Sequence, residues 1–195
     1  MPMTPTKPTT PPRPMTEDVD VLFSAEQIAQ RIRELGAEIA AAHPGGDLVL
    51  LSVLKGSFIF TADLARAIPF SIRVDFLGLS SYGGKTESSG VVKITSDLTQ
   101  PIEGAHVLIV EDIIDTGLTM AYLLENLATR HPASVKICAL LEKPGRAKVR
   151  VPIQHKGFVI DDHFVVGYGL DFDQRYRNLP FVGVLKPEAV RGGGA

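Results

Sequence analysis

The chain alternates between segments whose apolar residues recur at helical spacing and short segments that are apolar throughout. In the segment 24–43, apolar residues recur every three or four positions from Ile28 to Ile39, which predicts an amphipathic helix. Ser24 and Gln27 are three residues apart at its start, the spacing of a capping box. We therefore predict that this helix begins at Ser24.

The rest of the pattern predicts strands that alternate with helices. Short apolar runs predict strands at 47–53, 71–81, 91–98, 107–110, 134–143, 157–160, 164–169 and 181–185. Helical spacing predicts further helices at 57–68 and 119–131. Because strands that alternate with helices form parallel sheets covered on both faces, the predicted fold class is α/β. The strands 71–81 and 91–98 are expected to pair across a Gly/Ser-rich connection.

Composition and charge exclude several classes of protein. The chain has 195 residues, which is enough for one domain with a sizeable core. Its net charge of −2 provides no basic field for nucleic acid or an anionic membrane, and no apolar run reaches the length of a membrane span. The single cysteine, Cys138, excludes an internal disulfide and a cysteine-cluster metal site, and it fits a reducing cytoplasm.

Both ends of the chain are predicted to lie outside the folded domain. The first sixteen residues contain six prolines and no acidic residue, and they lack the apolar stretch of a secretory signal. An organelle transit peptide is the alternative, but the prolines would break the amphipathic helix that such peptides favour. We predict a disordered tail at 1–16, a working domain at 17–190 and a flexible C-terminus at 191–195.

The segment "VLIVEDIIDTGLTM" gathers three carboxylates where a buried strand ends and a helix begins. The first unpaired N–H groups of that helix, with Thr116 and Gly117, suit a phosphate. The adjacent Glu111 and Asp112 suit the hydroxyls of a sugar or a magnesium ion. A simpler interpretation is a turn in which Asp115 caps the helix, but it leaves the adjacent acids unexplained, because paired carboxylates repel. The segment favours a sugar-phosphate site.

Four predicted strands end in unusual polar chemistry, at "VLKGS", "EDIIDTG", "LLEKPG" and "VVGYGLDF". Ligands of parallel sheets bind beyond the carboxyl ends of the strands, so these segments are expected to form one composite site. The sequence "GGKT" at 83–86 resembles the end of a P-loop. The first glycine of that motif would fall on Leu79, and strand-like residues follow, so we reject the P-loop interpretation.

The segment "VLIVEDIIDTGLTM" resembles the phosphoribosyl-pyrophosphate (PRPP) signature of the type I phosphoribosyltransferases, in the form found in hypoxanthine phosphoribosyltransferases. The resemblance extends from Phe23 to Leu185 through "VLKGSFIFTADL", "SSYG", "LLEKP" and "FVVGYGLDFDQRYRNLP". It implies a parallel sheet core flanked by helices, with a small hood subdomain and a flexible lid hairpin. It also implies phosphoribosyl transfer from PRPP to hypoxanthine or guanine with Mg²⁺, release of pyrophosphate, and a homo-oligomer, either a dimer or a tetramer.

The resemblance assigns the PRPP-binding residues one by one. The ribose and 5′-phosphate site is matched by Glu111, Asp112, Asp115, Thr116, Gly117, Leu118 and Thr119. The pyrophosphate site is matched by Leu54, Lys55, Gly56 and Arg177, with a cis peptide bond before Lys55. The magnesium site is matched by Glu111, Asp112 and Asp171. Ser81 and Tyr82 are matched to a lid that excludes water, which matters because a ribosyl cation would otherwise be hydrolysed.

The resemblance also assigns the purine-binding residues. Asp115 matches the general base near purine N7, and Lys143 matches a donor to the purine O6. Phe164 matches the aromatic residue that stacks on the base, Val165 the residue whose backbone contacts the purine edge, and Ile113 the opposite apolar face. Without the resemblance, Lys143 would be interpreted as a surface lysine and Phe164 as a core residue.

Two other classes of function remain as alternatives. A PRPP-sensing regulator on the same fold would keep the sugar-phosphate site but not the chemistry. The presence of Asp115 and Lys143 argues against it, as does the absence of a basic stripe for nucleic acid. A phosphoribosyltransferase specific for pyrimidines or adenine is a weaker alternative. The compact "DDH" sequence at 161–163 is interpreted as a polar turn rather than a metal site.

Overall fold

The computed structural model describes residues 14–45, 47–81 and 92–192. The strands are β1 Val19–Phe23, β2 Leu48–Leu54, β3 Arg73–Ser81, β4 Val92–Ser96, β5 His106–Ile114, β6 Ser134–Glu142, β7 His155–Val159, β8 Val165–Val166 and β9 Val182–Leu185. The α-helices are α1 Ala25–Ala42, α2 Phe58–Ala67, α3 Leu118–Ala128 and α4 Pro187–Gly192, and short 3-10 helices cover Met15–Asp18 and Pro144–Arg146. Most of the tail predicted at 1–16 lies outside the described residues.

The larger sheet has six strands in the order β4-β3-β2-β5-β6-β7. The neighbours from β3 to β7 are parallel, and β4 pairs with β3 in the antiparallel direction. This arrangement confirms the predicted parallel sheet and the predicted pairing of 71–81 with 91–98. Because β2, β5 and β6 are adjacent and parallel, their carboxyl ends meet at one edge of the sheet.

Two hydrophobic clusters cover the two faces of this sheet. One contains buried residues of α1 and α2, and the other contains buried residues of α3. The α1 helix begins as predicted, since Gln27 N donates to Ser24 Oγ at 3.3 Å and Ser24 N donates to Gln27 Oε1 at 2.8 Å. The predicted α/β class is therefore confirmed in its layers as well as in its sheet.

A second, three-stranded sheet has the order β1-β9-β8 and is antiparallel. The sequence analysis did not predict β1, whose pairing partner β9 lies at the other end of the chain. It also predicted a longer β8, but the chain turns after Val166, where Gly167 and Gly169 adopt φ angles of 94° and 102°. None of the helices within the described ranges is long and apolar enough to cross a membrane.

We predict that Gly36→Ala destabilises the contact between α1 and α2. A Cβ atom at residue 36 would lie 2.5 Å from the carbonyl oxygen of Ala67, and neither helix backbone can move without disturbing the core. Overpacking of this kind costs about 1–3 kcal/mol of unfolding free energy, which urea denaturation measures. The matched control is Gly45→Ala, because a Cβ atom at residue 45 meets no atom within 4 Å. Equal stability of the two variants would contradict the prediction.

Candidate active site

The polar residues predicted from the strand ends meet at the carboxyl edge of the larger sheet. Lys55 follows β2, Asp115 follows β5 and Lys143 follows β6. The last two strands remain paired to their ends, where Lys143 N donates to the Ile114 carbonyl at 2.9 Å. The structure thus brings three of the four predicted strand ends to one edge through the parallel pairing alone.

The adjacent acids of β5 are poorly solvated. Glu111 and Asp112 are partly buried, and Glu111 Oε2 is buried with no hydrogen-bond partner among the described residues. Burial raises the pKa of Glu111 well above its ordinary value, and the charge of Asp112 adds to the effect. Burial also raises the pKa of Asp112 to about 6, although backbone hydrogen bonds and Arg177 oppose that shift. The fold therefore holds two carboxyls where a cation or hydroxyl donors would stabilise their charged forms.

The turn after β2 lies directly against these acids. A Cβ atom at Gly56 would lie 1.6 Å from Asp112 Oδ2, so any side chain at residue 56 would displace the Asp112 carboxylate. On the other side of the turn, a Cβ atom at Gly169 would lie 2.0 Å from the Gly56 carbonyl oxygen. The peptide bond between Leu54 and Lys55 is cis, as the resemblance implied.

Arg177 and Asp171, predicted to contact pyrophosphate and magnesium, form an ion pair with Nη2 and Oδ1 2.7 Å apart. Arg177 Nη1 also donates to the Gly169 carbonyl at 2.7 Å, which connects the pair to the turn after β2. The charges of both residues influence the pKa of Asp112, Arg177 lowering it and Asp171 raising it. The structure therefore brings the predicted pyrophosphate and magnesium residues together.

The predicted phosphate loop, 115–119, joins β5 to α3. Gly117, which has no side chain, is the N-cap of α3 with a φ of 77°, and the first N–H of the helix, from Leu118, donates to Thr116 Oγ1 at 3.5 Å. The interpretation in which Asp115 is the N-cap of this helix is therefore wrong, because Gly117 occupies that position. The loop is braced by the segment after β6, since Val149 N donates to the Thr116 carbonyl at 3.0 Å. A Cβ atom at Gly117 would lie 2.0 Å from the Val149 carbonyl oxygen.

Two further charged residues, Arg146 and Asp162, connect Asp115 with Lys143. Arg146 Nε lies 2.8 Å from Asp115 Oδ1, outside hydrogen-bond geometry, and Arg146 Nη1 donates to Asp162 Oδ2 at 3.2 Å. Lys143 Nζ lies 3.6 Å from the other oxygen of Asp162. The hydrogen bond with Asp162 and the charges of both carboxylates raise the pKa of Arg146 above its ordinary value.

Sequence reasoning missed these two residues. The 161–163 segment was interpreted only as a polar turn, and the sequence analysis did not single out Arg146. Their ion pair joins positions sixteen residues apart across the end of β7, so no local spacing identifies it. A cavity of about 240 Å³, lined by neither of these two residues, is lined by Ile114, Asp115, Glu142, Lys143, Pro144, Ala147, Val149, Arg150 and Val151.

The residues predicted to contact the purine have contrasting environments. Lys143 is buried at 8% exposure, so the interpretation as a surface lysine is wrong. Phe164 is 54% exposed, as a residue that stacks on a ligand requires, and its ring meets that of Phe172 edge-on at 5.6 Å. Val165 is buried in β8, and Ile113 is partly buried in β5. Of the two predicted lid residues, Ser81 ends β3 and Tyr82 lies outside the described residues.

A family model of the phosphoribosyl transferase domain matches residues 18–173. The chain belongs to the phosphoribosyltransferase family. It is 53% identical over 177 residues to a hypoxanthine-guanine phosphoribosyltransferase of Mycobacterium avium, a match that covers 88% of this chain and 87% of the relative. The predicted phosphoribosyltransferase fold is confirmed by this match.

Solved phosphoribosyltransferase structures share the fold. A hypoxanthine phosphoribosyltransferase from Staphylococcus aureus superposes with a TM-score of 0.86 at 44% identity, over 89% of this chain and 95% of that one. A hypoxanthine phosphoribosyltransferase from Trypanosoma cruzi, solved in complex with the product IMP, superposes with a TM-score of 0.83 at 45% identity. That match covers 91% of this chain and 99% of the other.

We predict that replacing Glu111 and Asp112 by their amides stabilises this phosphoribosyltransferase most at high pH. A carboxyl whose pKa is raised on folding binds its proton more tightly in the folded state, so stability is lost as pH rises from the unfolded to the folded pKa. For Asp112 this window runs from its ordinary value of 3.8 to about 6. The gain of Glu111→Gln/Asp112→Asn over the wild type should grow by about 1–3 kcal/mol between about pH 4 and pH 8 in urea denaturation.

In the matched control, Asp97→Asn, we expect the change in stability to have the opposite sign. A hydrogen bond from Arg130 lowers the pKa of Asp97, so the stability that Asp97 provides is present above its unfolded pKa and lost as pH falls through the folded one. Asp97→Asn should therefore be less stable than the wild type at neutral pH. If the double amide variant lost stability at every pH, the acids would have a structural role instead.

Proposed function

We propose that the protein transfers the 5-phosphoribosyl group of PRPP to hypoxanthine or guanine, which forms IMP or GMP and releases pyrophosphate. The observation that carries this proposal is the position of Asp115 and buried Lys143 at neighbouring strand ends, beside the N-terminus of α3, whose N-cap is a glycine. A carboxylate that accepts a proton and an ammonium that donates to a carbonyl are the two groups that a 6-oxopurine needs next to a phosphate loop. The relative solved with IMP supports the same substrate class.

The loop 115–119 binds the 5′-phosphate in this proposal. The N-cap Gly117 provides no side chain to the first N–H groups of α3, and the positive end of the helix dipole favours a phosphate there. The left-handed conformation of Gly117 and the bond from Val149 to Thr116 set the shape of the loop before a ligand binds. Binding therefore does not need to order this part of the backbone.

Glu111 and Asp112 hold the ribose hydroxyls, and with Asp171 they fit a magnesium ion. The fit rests on the buried, unpaired Glu111 Oε2 and on carboxylate oxygens being the ligands that Mg²⁺ prefers. A magnesium ion held by these residues would neutralise the charge that develops on pyrophosphate.

Lys55 and Arg177 bind and orient the pyrophosphate group. Lys55 is exposed at the turn after β2, and Arg177 lies on the other side of Gly169. The bond between C1 of the ribose and the pyrophosphate oxygen breaks while the bond from C1 to the purine nitrogen forms. Asp115 accepts the proton that leaves purine N7, so the proton does not stay on the product. Fixed charges beside the leaving pyrophosphate and beside the purine stabilise a transition state with ribosyl-cation character.

A PRPP-sensing regulator on the same fold is not favoured, because sensing PRPP needs neither a base at N7 nor a buried donor to O6. Assembly into a dimer or tetramer, closure of a lid by Ser81 and Tyr82, and a cytoplasmic location remain predictions of the sequence analysis. A spectrophotometric assay with PRPP and each nucleobase tests the proposed function directly.

Asp115→Asn should lower kcat with hypoxanthine by about 10²-fold or more, because the amide cannot accept the N7 proton. The KM for PRPP should change little, since Glu111, Asp112 and the loop backbone remain. The matched control is Asp47→Asn: Asp47 also pairs with an arginine, at 3.2 Å, and it precedes β2 at the opposite end of the sheet. Unchanged turnover of Asp115→Asn would remove this residue from the chemistry.

Adenine should be essentially inert as a substrate. An ammonium only donates hydrogen bonds, so Lys143 pairs with the O6 of hypoxanthine or guanine and opposes the amino group of adenine. Sites built for one hydrogen-bonding partner discriminate by roughly 10⁴-fold.

Lys143→Ala should reduce turnover of the oxopurines far more than any trace turnover of adenine, so the ratio of oxopurine turnover to adenine turnover should fall. The control is Lys136→Ala, because Lys136 lies in β6 seven residues before Lys143; this variant should leave that ratio of turnovers unchanged. Rapid turnover of adenine by the wild-type protein would contradict both the role of Lys143 and the proposed substrate.

A further inference from the structure

Asp115 and Lys143 carry opposite charges at neighbouring strand ends, yet each pairs with a different residue. Opposite charges in a partly buried cleft attract each other strongly, and a direct ion pair would occupy both groups. Instead, Asp115 Oδ1 lies 2.8 Å from Arg146 Nε, and Lys143 Nζ lies 3.6 Å from Asp162 Oδ1. Arg146 and Asp162 pair with each other at 3.2 Å. The four side chains therefore form a row in which positive and negative charges alternate.

The row ends in the two groups proposed to contact one edge of the purine. N7 and O6 are adjacent on the same edge of a 6-oxopurine. In the proposed function, Asp115 accepts the proton from N7 while Lys143 donates to O6, so both groups must be free of each other and held at a set spacing. Arg146 and Asp162 occupy the positions from which both conditions can be met.

We propose that Arg146 and Asp162 are positioning residues that keep Asp115 and Lys143 apart and aligned with N7 and O6 of the purine. This inference rests on the proposed function, because it takes the roles of Asp115 and Lys143 from it. Neither positioning residue needs to touch the purine. Arg146 acts through Asp115, and Asp162 acts through Lys143 and through Arg146.

The burial of Asp115 shows which oxygen is held. Oδ1 is buried and faces Arg146, whereas the side chain as a whole is 38% exposed. Oδ2 is therefore the oxygen left for the purine. A guanidinium suits this task, because its planar, always charged head presents several N–H groups in fixed directions and can contact two carboxylates at once. The 3-10 helix Pro144–Arg146 directly follows Lys143, so the backbone connects the two cations as well: Arg146 N donates to the Lys143 carbonyl at 3.1 Å.

A double-mutant cycle on Asp115 and Arg146 tests the inference. Arg146→Met keeps the apolar stem and removes the charge. It should lower kcat with hypoxanthine by about 10-fold and change the KM for PRPP by less than about threefold, because Asp115 loses its orientation while the phosphate loop is untouched. Arg146→Lys should recover part of the loss because it keeps the positive charge.

The decisive measurement is the effect of Arg146→Met in the Asp115→Asn background. If Arg146 acts through Asp115, the second substitution should cause little further loss, so the double variant turns over as fast as Asp115→Asn alone. An equal, independent loss in both backgrounds would overturn the inference while leaving the role of Asp115 intact. Full turnover of Asp115→Asn itself would overturn the proposed function, and the inference with it.

A structural role for Arg146 would give a different result. It would lower the melting temperature and reduce turnover in both backgrounds alike. Arg73→Met is the matched control, because Arg73 is 49% exposed where Arg146 is 45% exposed, and its ion pair, with Asp47, lies away from the site. Its kcat should equal that of the wild type. If Arg146→Met does not fold, the same cycle with Arg146→Lys applies, and a loss that persists in the Asp115→Asn background overturns the inference.

Discussion

The candidate site depends on the close approach of the turn after β2 to the acids of β5. A side chain at Gly56 would displace the Asp112 carboxylate, and a side chain at Gly169 would overlap the Gly56 carbonyl, so three chain segments meet closely at two glycines. This contact places Lys55, Asp112 and Arg177 around one volume. The parallel pairing of β2 with β5 holds the first two segments in register, and Arg177 fastens the third by donating to Gly169.

Electrostatics at this edge favour function over stability. Burial raises the pKa values of Glu111 and Asp112, so the folded protein carries carboxyls that it would hold more readily as neutral groups. Such an arrangement reduces stability unless a ligand provides compensating charge, which is a common feature of active sites. Further along this edge the charges are balanced instead, because Asp115, which follows β5, and Lys143, which follows β6, each have a partner of opposite sign. The edge of the sheet thus combines two carboxyls whose charged forms are poorly stabilised with a pair of charged residues that each have a partner of opposite sign.

Elements with a strong local pattern were predicted well, and elements defined by distant partners were not. The capping box at Ser24, the helix at α2 and the buried strands β2 and β6 all follow from spacing within a few residues. The strand β1 escaped prediction because it is defined by pairing with β9. The end of the strand predicted at 164–169 was also wrong, because Gly167, Tyr168 and Gly169 adopt positive φ angles that end β8 at Val166.

The sequence by itself determined the α/β class, the strand ends that carry chemistry and, through the long motif at 107–120, the family. These depend on the order of residues along one segment, and a segment's local pattern is visible without its neighbours. Only the tertiary structure decided the burial of Lys143, the position of the α3 N-cap at Gly117 rather than Asp115, and the row of charges through Arg146 and Asp162. These depend on side chains from different segments sharing one space, and the attraction between charges follows their separation in space rather than along the chain.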